Sequence, residues 1–489
     1  MNRALVIKSL IYKYVERFAA KALGFIISIL LARLLAPEAF GQIAIITVFV
    51  NLSQCIIEGG LGTALVQNKN ADDTDYSTVF FICIAMSLLL TLLMFIAAPV
   101  IAGFYKSPEI LWPLRVYAFS VFFGSYSAVL TAKIQREMRF RQMMICSLTA
   151  TVLSGILAVA LGFLGAGIWT LVVYYFAYTA FSCLAMAVAV RWVPKLRFSV
   201  QRAKELYSFG WKMLVSSLMK SLYLDLRPLI IGKRFSTADL GYYDRGSQVP
   251  FVITNALDSS MSSVMLPVMS RAQSNKDELK GILRRSITMN AMLVFPAMAG
   301  LAVIAEPFIR VMLTDKWLPS VVYMQILCIA HASIALTTPN GLAISALGRS
   351  DVYMKMEFIR RSIMIAQLIL TVLIFDSVVA IAYSYAISVW LDAAISAIPN
   401  RHFLGYGFLQ QLKDLWKIIA ATALMALAAW AVGLIPMHPA LEMAVQIVTG
   451  AAVYIIICLA LKVETFSYVL NLIKKKGKTL GGDCEHFTQ

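Results

Sequence analysis

Two stretches free of any charged side chain, Tyr76 to Tyr105 and Met143 to Val190, constrain this chain more than any other feature. An apolar run of about 20 residues crosses a bilayer core as a helix, because in lipid every backbone polar group must be satisfied within the segment. The second stretch is too long for one crossing, and Gly162-Phe-Leu-Gly-Ala-Gly167 supplies the turn that makes it two. A terminal pair near Ile418 to Leu434 and Met443 to Leu461 reads the same way. Apolar windows with isolated charges lie near residues 10–35, 39–66, 110–133, 207–231, 241–268, 284–307, 319–346, 354–375 and 378–399. Hydrophobic side chains form 60% of the 489 residues and charged ones 14%. Roughly 293 apolar residues supply about 12 to 14 spans. The expected fold is all-α, a polytopic membrane protein of about 14 transmembrane helices.

The formal net charge of +17 does not point to nucleic acid in a chain this apolar, where cations belong to loops and set topology. Alternate loops carry them unevenly. Clusters at 133–141, 191–204, 271–285, 349–361, 401–417 and 474–478 place 25 Lys and Arg on one side, against 7 on the other. The positive-inside rule makes the first side, with both termini, cytoplasmic. The start of the chain has no compact apolar stretch leading to a small-residue cleavage site, so no cleaved signal peptide is expected. Seven scattered cysteines show neither metal spacing nor a disulfide framework. No phosphate-binding loop, HExxH or zinc pattern is present, and no cofactor is expected. Asp73-Thr-Asp75 has the DxD form of a metal-dependent glycosyltransferase, but a nucleotide-sugar domain to hold it is absent. The loops are short, so function must reside among the helices.

An offset of 200 aligns Leu30-Leu31-Ala-Arg33 with Ile230-Ile231-Gly-Lys233, Phe40-Gly41 with Leu240-Gly241, and Glu58 with Asp258. A looser echo relates Leu114-Arg-Val-Tyr-Ala118 to Met324-Gln-Ile-Leu-Cys328. The expected organisation is a pair of pseudo-symmetric six-helix bundles, 1–200 and 201–405, followed by two extra helices over 406–465 and a basic tail over 466–489. Chance likeness between apolar segments is the competing explanation.

A charged residue at the centre of a membrane helix costs about 2.5 to 3.5 kcal/mol on insertion scales, so such residues face a bundle interior or water. In the first span Arg17, Lys21, Gly24 and Ser28 share a face, either a cationic cavity wall or a flank whose long stems snorkel outward. Thr47, Asn51, Gln54 and Glu58 form one polar stripe, and Asp244, Gln248, Asn255 and Asp258 another. Both face a lumen or serve as interhelical hydrogen-bond glue. Lys212, Ser216, Lys220, Tyr223 and Arg227 line a third face, with Asp225 to its side. Candidate substrate contacts are Lys21, Asn51, Gln54, Lys220, Arg227, Gln248 and Asn255. Candidate gate or ion-pair residues are Arg17, Glu58, Asp225 and Asp258. His331 is a candidate for proton coupling, although a lone histidine on an apolar helix is more often a hydrogen-bonded core residue. Tyr174, Tyr175, Tyr178, Tyr242 and Tyr243 suit sugar stacking or an ordinary interfacial belt.

Arg33-Leu-Leu-Ala-Pro-Glu-Ala-Phe-Gly41, Glu58-Gly-Gly-Leu-Gly-Thr-Ala-Leu-Val-Gln67, Gln135-Arg-Glu-Met-Arg-Phe140, Leu266-Pro-Val-Met-Ser270, Phe295-Pro296 and Asp315-Lys-Trp317 carry a family pattern. The chain resembles the Wzx-type polysaccharide transport proteins, in the colanic acid exporter-like branch of the multidrug/oligosaccharidyl-lipid/polysaccharide superfamily. The resemblance covers most of residues 1–420 and departs from the pattern mildly at Glu58, where relatives often have Asp. It implies two six-helix bundles forming a V, two further C-terminal helices, and a bacterial inner-membrane flippase for undecaprenyl-pyrophosphate-linked oligosaccharide. Membrane lipid is an implied partner, and polysaccharide polymerase and chain-length proteins are possible ones. Two other readings compete. A cation-coupled drug or metabolite antiporter of the same fold would call for an embedded carboxylate in the first span, which offers only Glu16 at its end. A membrane enzyme such as an oligosaccharide polymerase would need a long periplasmic catalytic loop, which the spacing of the spans excludes.

Overall fold

In the computed structural model the described residues are 22–67, 72–463 and 466, and among them the chain forms helices and connections without a strand. It divides into two units, Met1–Asp244 and Arg245–Gln489. The first holds α1 (Ala22–Leu34), α2 (Pro37–Glu58), α3 (Leu61–Gln67), α4 (Asp73–Phe104), α5 (Leu111–Ala118), α6 (Ser120–Arg136), α7 (Phe140–Phe163), α8 (Ile168–Val190), α9 (Val200–Arg234) and the start of α10 (Thr237–Arg271). The second holds the rest of α10, then α11 (Lys276–Val303), α12 (Ala305–Met312), α13 (Ser320–Ala332), α14 (Ile334–Ala346) and α15 (Ser350–Ile374). It ends with α16 (Val378–Ser396), α17 (Ile398–Leu404), α18 (Phe408–Gly433) and α19 (Pro439–Ala460).

Among the described residues, ten helices are long and apolar enough to cross a membrane when the nearly continuous pairs α5–α6, α13–α14 and α16–α17 count as single rods. α9 and α10, at 35 residues each, are longer still. At 1.5 Å per residue each extends about 52 Å, well beyond a hydrocarbon core of about 30 Å. Their polar content, and that of α15, sets them apart from the apolar ten, as the stripes read from the sequence require. One expected span is broken: residues 39–66 do not form a single helix, because α2 stops at Glu58 and Gly59 and Gly60 take positive φ values of 48° and 73°. Glycine tolerates this left-handed turn, which sends α3 off separately. The turn expected between residues 162 and 167 is present, with Gly165 and Gly167 at φ 73° and 56°.

Helix starts follow local chemistry. Pro37 opens α2 where its missing N–H costs nothing. Asp72 caps α4, accepting from the N–H groups of Thr74 and Asp75 while Asp75 accepts from the Asp72 N–H. The DxD run is therefore a helix cap. Its acidic groups hold the strap that joins α8 to α9. Lys195 Nζ donates to Asp73 Oδ2 at 2.6 Å, Arg202 pairs with Asp72 and Asp75, and Ser77 and Thr78 accept from the backbone N–H groups of Lys195 and Ser199. Trp192 in this strap packs edge-on against Tyr76 and Phe80, with the Lys133 ammonium over the Tyr76 and Trp192 rings. Burial raises the Asp72 carboxyl, but hydrogen bonds from the Asp75 backbone and Arg202, the Arg202 charge and the Thr74 backbone together outweigh it and hold the group below the usual range. The loops assigned by charge to one side thus meet at one end of the first unit. At the opposite end Gln42 donates to Glu109 at 2.5 Å and Lys233 to the Phe104 carbonyl at 2.5 Å.

The repeat is visible in the backbone. Gly41 abuts the carbonyl of Thr237, and Gly241 abuts that of Pro37, so tightly that a Cβ at either glycine would overlap the opposing oxygen. The pairs 41 with 237 and 241 with 37 exchange under the offset of 200, as in a two-fold crossing of equivalent helix starts. Leu31 and Ile231, and Phe40 and Leu240, are buried to matching degrees. Further on, with an offset of 210, Met138-Arg139 before α7 and Gly348-Arg349 before α15 repeat one turn, with φ of 55° at Met138 and 70° at Gly348.

Candidate functional site

The first unit holds an open cavity of about 700 Å³, within the range of about 300 to 1,000 Å³ usual for ligand sites. α2 contributes Asn51, Gln54, Cys55 and Glu58, which lie on one face at helical spacing. α6 contributes Ser120, Gly124, Ser127, Thr131 and Gln135, spaced four, three, four and four apart, so that they too form one stripe. Tyr117 from α5, Tyr178, Thr179 and Ser182 from α8, and Ser217 from α9 complete the polar wall. A surface of hydroxyls and amides inside an apolar bundle offers donors and acceptors together, without a dominant charge.

Two details fix its chemistry. Gln54 Nε2 donates to Glu58 Oε1 at 3.2 Å, one turn along the same helix. Gly124 makes room for the Gln54 amide, which a Cβ at that position would strike. Glu58 is exposed, and it is the one carboxylate among the described lining residues. No lysine or arginine occurs among those described lining residues. Tyr117 is stacked on Tyr175 with ring centroids 6.0 Å apart, and Tyr174 meets Tyr175 edge-on at 5.1 Å.

Of the residues singled out from the sequence, Asn51, Gln54 and Glu58 are thus brought together in one cavity. Arg17 and Lys21 lie outside the described residues, as does the side chain of Lys220, although its backbone belongs to α9. Arg227 is 4% exposed, with Nη2 donating to the Tyr223 hydroxyl at 2.6 Å and the guanidinium 4.7 Å from that ring. It lies outside the cavity lining. Asp225 is half-buried and accepts from Ser221 Oγ at 2.9 Å. Gln248, Asn255 and Asp258 belong to the second unit, half-buried on α10. His331 sits there as well, its Nδ1 3.3 Å from Thr254 Oγ1 and its ring edge-on to Phe251 and Tyr385.

Sequence reasoning missed the α6 stripe. Its four-three-four-four spacing was the available signal, but Ser, Thr and Gly are ordinary residents of membrane helices and so carry little contrast. It also missed a buried amide cluster in the second unit. Asn340 and Gln411 exchange hydrogen bonds at 2.9 Å each, and Asn400 Nδ2 donates to Asn340 Oδ1 at 2.7 Å. The three tie α14, α17 and α18 together.

Long apolar helices, an internal repeat and a cavity with a polar stripe among them define the class: a polytopic helical membrane transporter. The chain belongs to the polysaccharide biosynthesis protein family, whose model matches residues 30–322, more than half of its length. It is 24% identical over 439 residues to the teichuronic acid biosynthesis protein TuaB of Bacillus subtilis, covering 87% of this chain and 88% of the relative. It is 25% identical over 317 residues to the succinoglycan biosynthesis transport protein ExoT of Rhizobium meliloti, covering 65% and 64%. Among solved structures, the lipid II flippase MurJ in an inward closed conformation superposes with a TM-score of 0.76 at 16% identity, over 91% of this chain and 98% of that one. At that identity the likeness concerns the fold.

Proposed function

We propose that this protein is a flippase that moves an undecaprenyl-pyrophosphate-linked oligosaccharide from the cytoplasmic to the periplasmic leaflet of a bacterial inner membrane. It crosses the membrane 14 times as two six-helix halves plus two C-terminal helices, with both termini cytoplasmic. The observation that carries this reading is the hydroxyl- and amide-lined cavity within an otherwise apolar helical unit of a polysaccharide biosynthesis family member. The cargo explains the need for it. Its sugars and diphosphate are rejected by hydrocarbon, while its polyprenyl tail is not, so only the head requires a substitute for water. Amides and hydroxyls supply that substitute for the sugars, and Lys21 and Lys220 supply counter-charge for the diphosphate. Exposure of the cavity to one leaflet and then the other completes the transfer.

Deletion of the gene tests the proposal. The expected result is lipid-linked oligosaccharide accumulating on the inner leaflet with loss of the surface glycan, restored by the wild-type gene. Restoration by Lys21→Ala and Lys220→Ala should be weaker although both proteins insert. Normal surface glycan in the deletion strain, with no related gene to compensate, contradicts the reading.

A further inference from the structure

We propose that Arg115 forms a phospholipid site on the outer face of the first unit, holding the phosphate of an anionic glycerophospholipid in the leaflet where α4 ends and α5 begins. The site lies apart from the cavity and does not depend on what the cavity carries. Trp112, Arg115, Phe119 and Phe122 recur at spacings of three, four and three along α5 and into α6, so they share one face. None of them lines the cavity, to which the same rod contributes Tyr117, Ser120 and Gly124. The three aromatic members are exposed, as are Leu92, Ile96 and Val100 on α4. In a membrane protein such a face meets lipid tails, which are as apolar as leucine. One arginine in its midst is costly unless an anion neutralises it.

Pro99 explains how the guanidinium is held. A proline inside a helix has no N–H for the carbonyl four residues back, and in α4 that carbonyl is the one of Phe95. Arg115 Nε donates to it at 3.3 Å. The guanidinium also lies 4.3 Å from the centre of the Phe95 ring and 5.0 Å from that of Trp112, close enough for cation–π attraction to fix its plane. Only Nε is used in this way. Among the described residues the two Nη groups have no protein partner and no carboxylate pairs with Arg115. Glu109, the nearest carboxylate in sequence, accepts from Gln42 instead. An anchored guanidinium with a free Nη edge matches two oxygens of a phosphate. Arg115 sits one turn into α5, and helical side chains lean toward the N-terminus, so the headgroups at that end are within a snorkelling arginine's reach. A net-negative headgroup neutralises the cation, whereas a zwitterionic one brings an ammonium of its own, and the site therefore prefers the former.

The test uses the full-length protein in phosphatidylcholine nanodiscs containing a small share of phosphatidylglycerol or phosphatidylcholine probe, each with a diazirine beside the phosphate. Cross-linked peptides are mapped by mass spectrometry. Around Phe95 and Trp112 the phosphatidylglycerol probe labels about fivefold more than the phosphatidylcholine probe. Arg115→Gln, which keeps an N–H donor but no charge, abolishes that preference and leaves labelling elsewhere unchanged. Pro99→Ala gives the Phe95 carbonyl its own N–H again, loosens the anchor, and lowers labelling about threefold with the arginine intact. Equal labelling by the two probes in the wild-type protein overturns the proposal. So does unchanged labelling in Arg115→Gln, or in Pro99→Ala where Arg115→Gln does not insert. Displacement of the phosphatidylglycerol probe by equimolar undecaprenyl diphosphate assigns Arg115 to the cargo and overturns it as well.

Discussion

Gly124 shows how much a missing side chain can set. Its lack of a Cβ lets the Gln54 amide lie across α6 toward the cavity, and an alanine there must push that amide aside. Gly124→Ala is therefore expected to lower transport about tenfold, the equivalent of about 1.4 kcal/mol of lost binding, while expression and melting temperature stay near wild type. A transport assay alongside a thermal melt in detergent reads both. Gly41 and Gly241 are different in kind, since the obstacle is the opposing backbone rather than a side-chain end. Overfilling a close-packed contact costs about 1 to 3 kcal/mol and sometimes more, so Gly41→Ala and Gly241→Ala should each lower the melting temperature. Gly103→Ala, with open space at its Cβ, should not. The stripe on α2 was legible because Asn, Gln and Glu stand out sharply against Ile and Val. The receiving stripe on α6 was hidden because small hydroxylated residues do not. Arg227 looked like a lumen cation from its helical face, and its burial against Tyr223 depends on a tertiary environment that spacing alone does not encode.

Helix by helix, the apolar runs translated directly into spans, because a bilayer leaves a chain few alternatives to a continuous helix. The break at Gly59 escaped notice, since an apolar window continues through α3 and only the pair of positive φ values ends α2. The amide cluster of Asn340, Asn400 and Gln411 was equally opaque. Asn400 and Gln411 occur near helix ends, where polar residues usually meet solvent, yet all three are fully buried. Removing one partner strands another, at about 1 to 3 kcal/mol per buried polar group. Gln411→Leu is expected to destabilise the protein by that amount and to increase hydrogen exchange in α14 and α18. The double variant Asn340→Leu with Gln411→Leu should cost less than the sum of the singles, because neither then leaves the other unsatisfied. Strict additivity in thermal melts would show that the cluster does not act as a unit.

For the whole molecule, the repeat seen as matched letters at an offset of 200 reappears as matched contacts at Gly41 and Gly241 and as the matched turns at Met138 and Gly348. Registers this consistent over such a distance leave little room for coincidence between apolar segments. The charge bias of the loops has its counterpart in the acidic and basic groups that strap α8 to α9 at one end of the first unit. The Lys195–Asp73 pair among them is solvent-exposed and individually weak, so Lys195→Ala should alter stability by less than about 1 kcal/mol.

The central claim is that the protein itself carries a lipid-linked oligosaccharide across a bilayer. Purified protein in liposomes, loaded with lipid-linked oligosaccharide isolated from the producing strain, tests this through the fraction of glycan open to a membrane-impermeant oxidising enzyme. With the protein present, that fraction is predicted to rise from the outer-leaflet share toward completeness as inner-leaflet lipid is exchanged outward. Protein-free liposomes should stay at the outer-leaflet share. An accessible fraction identical with and without correctly inserted protein would contradict the account.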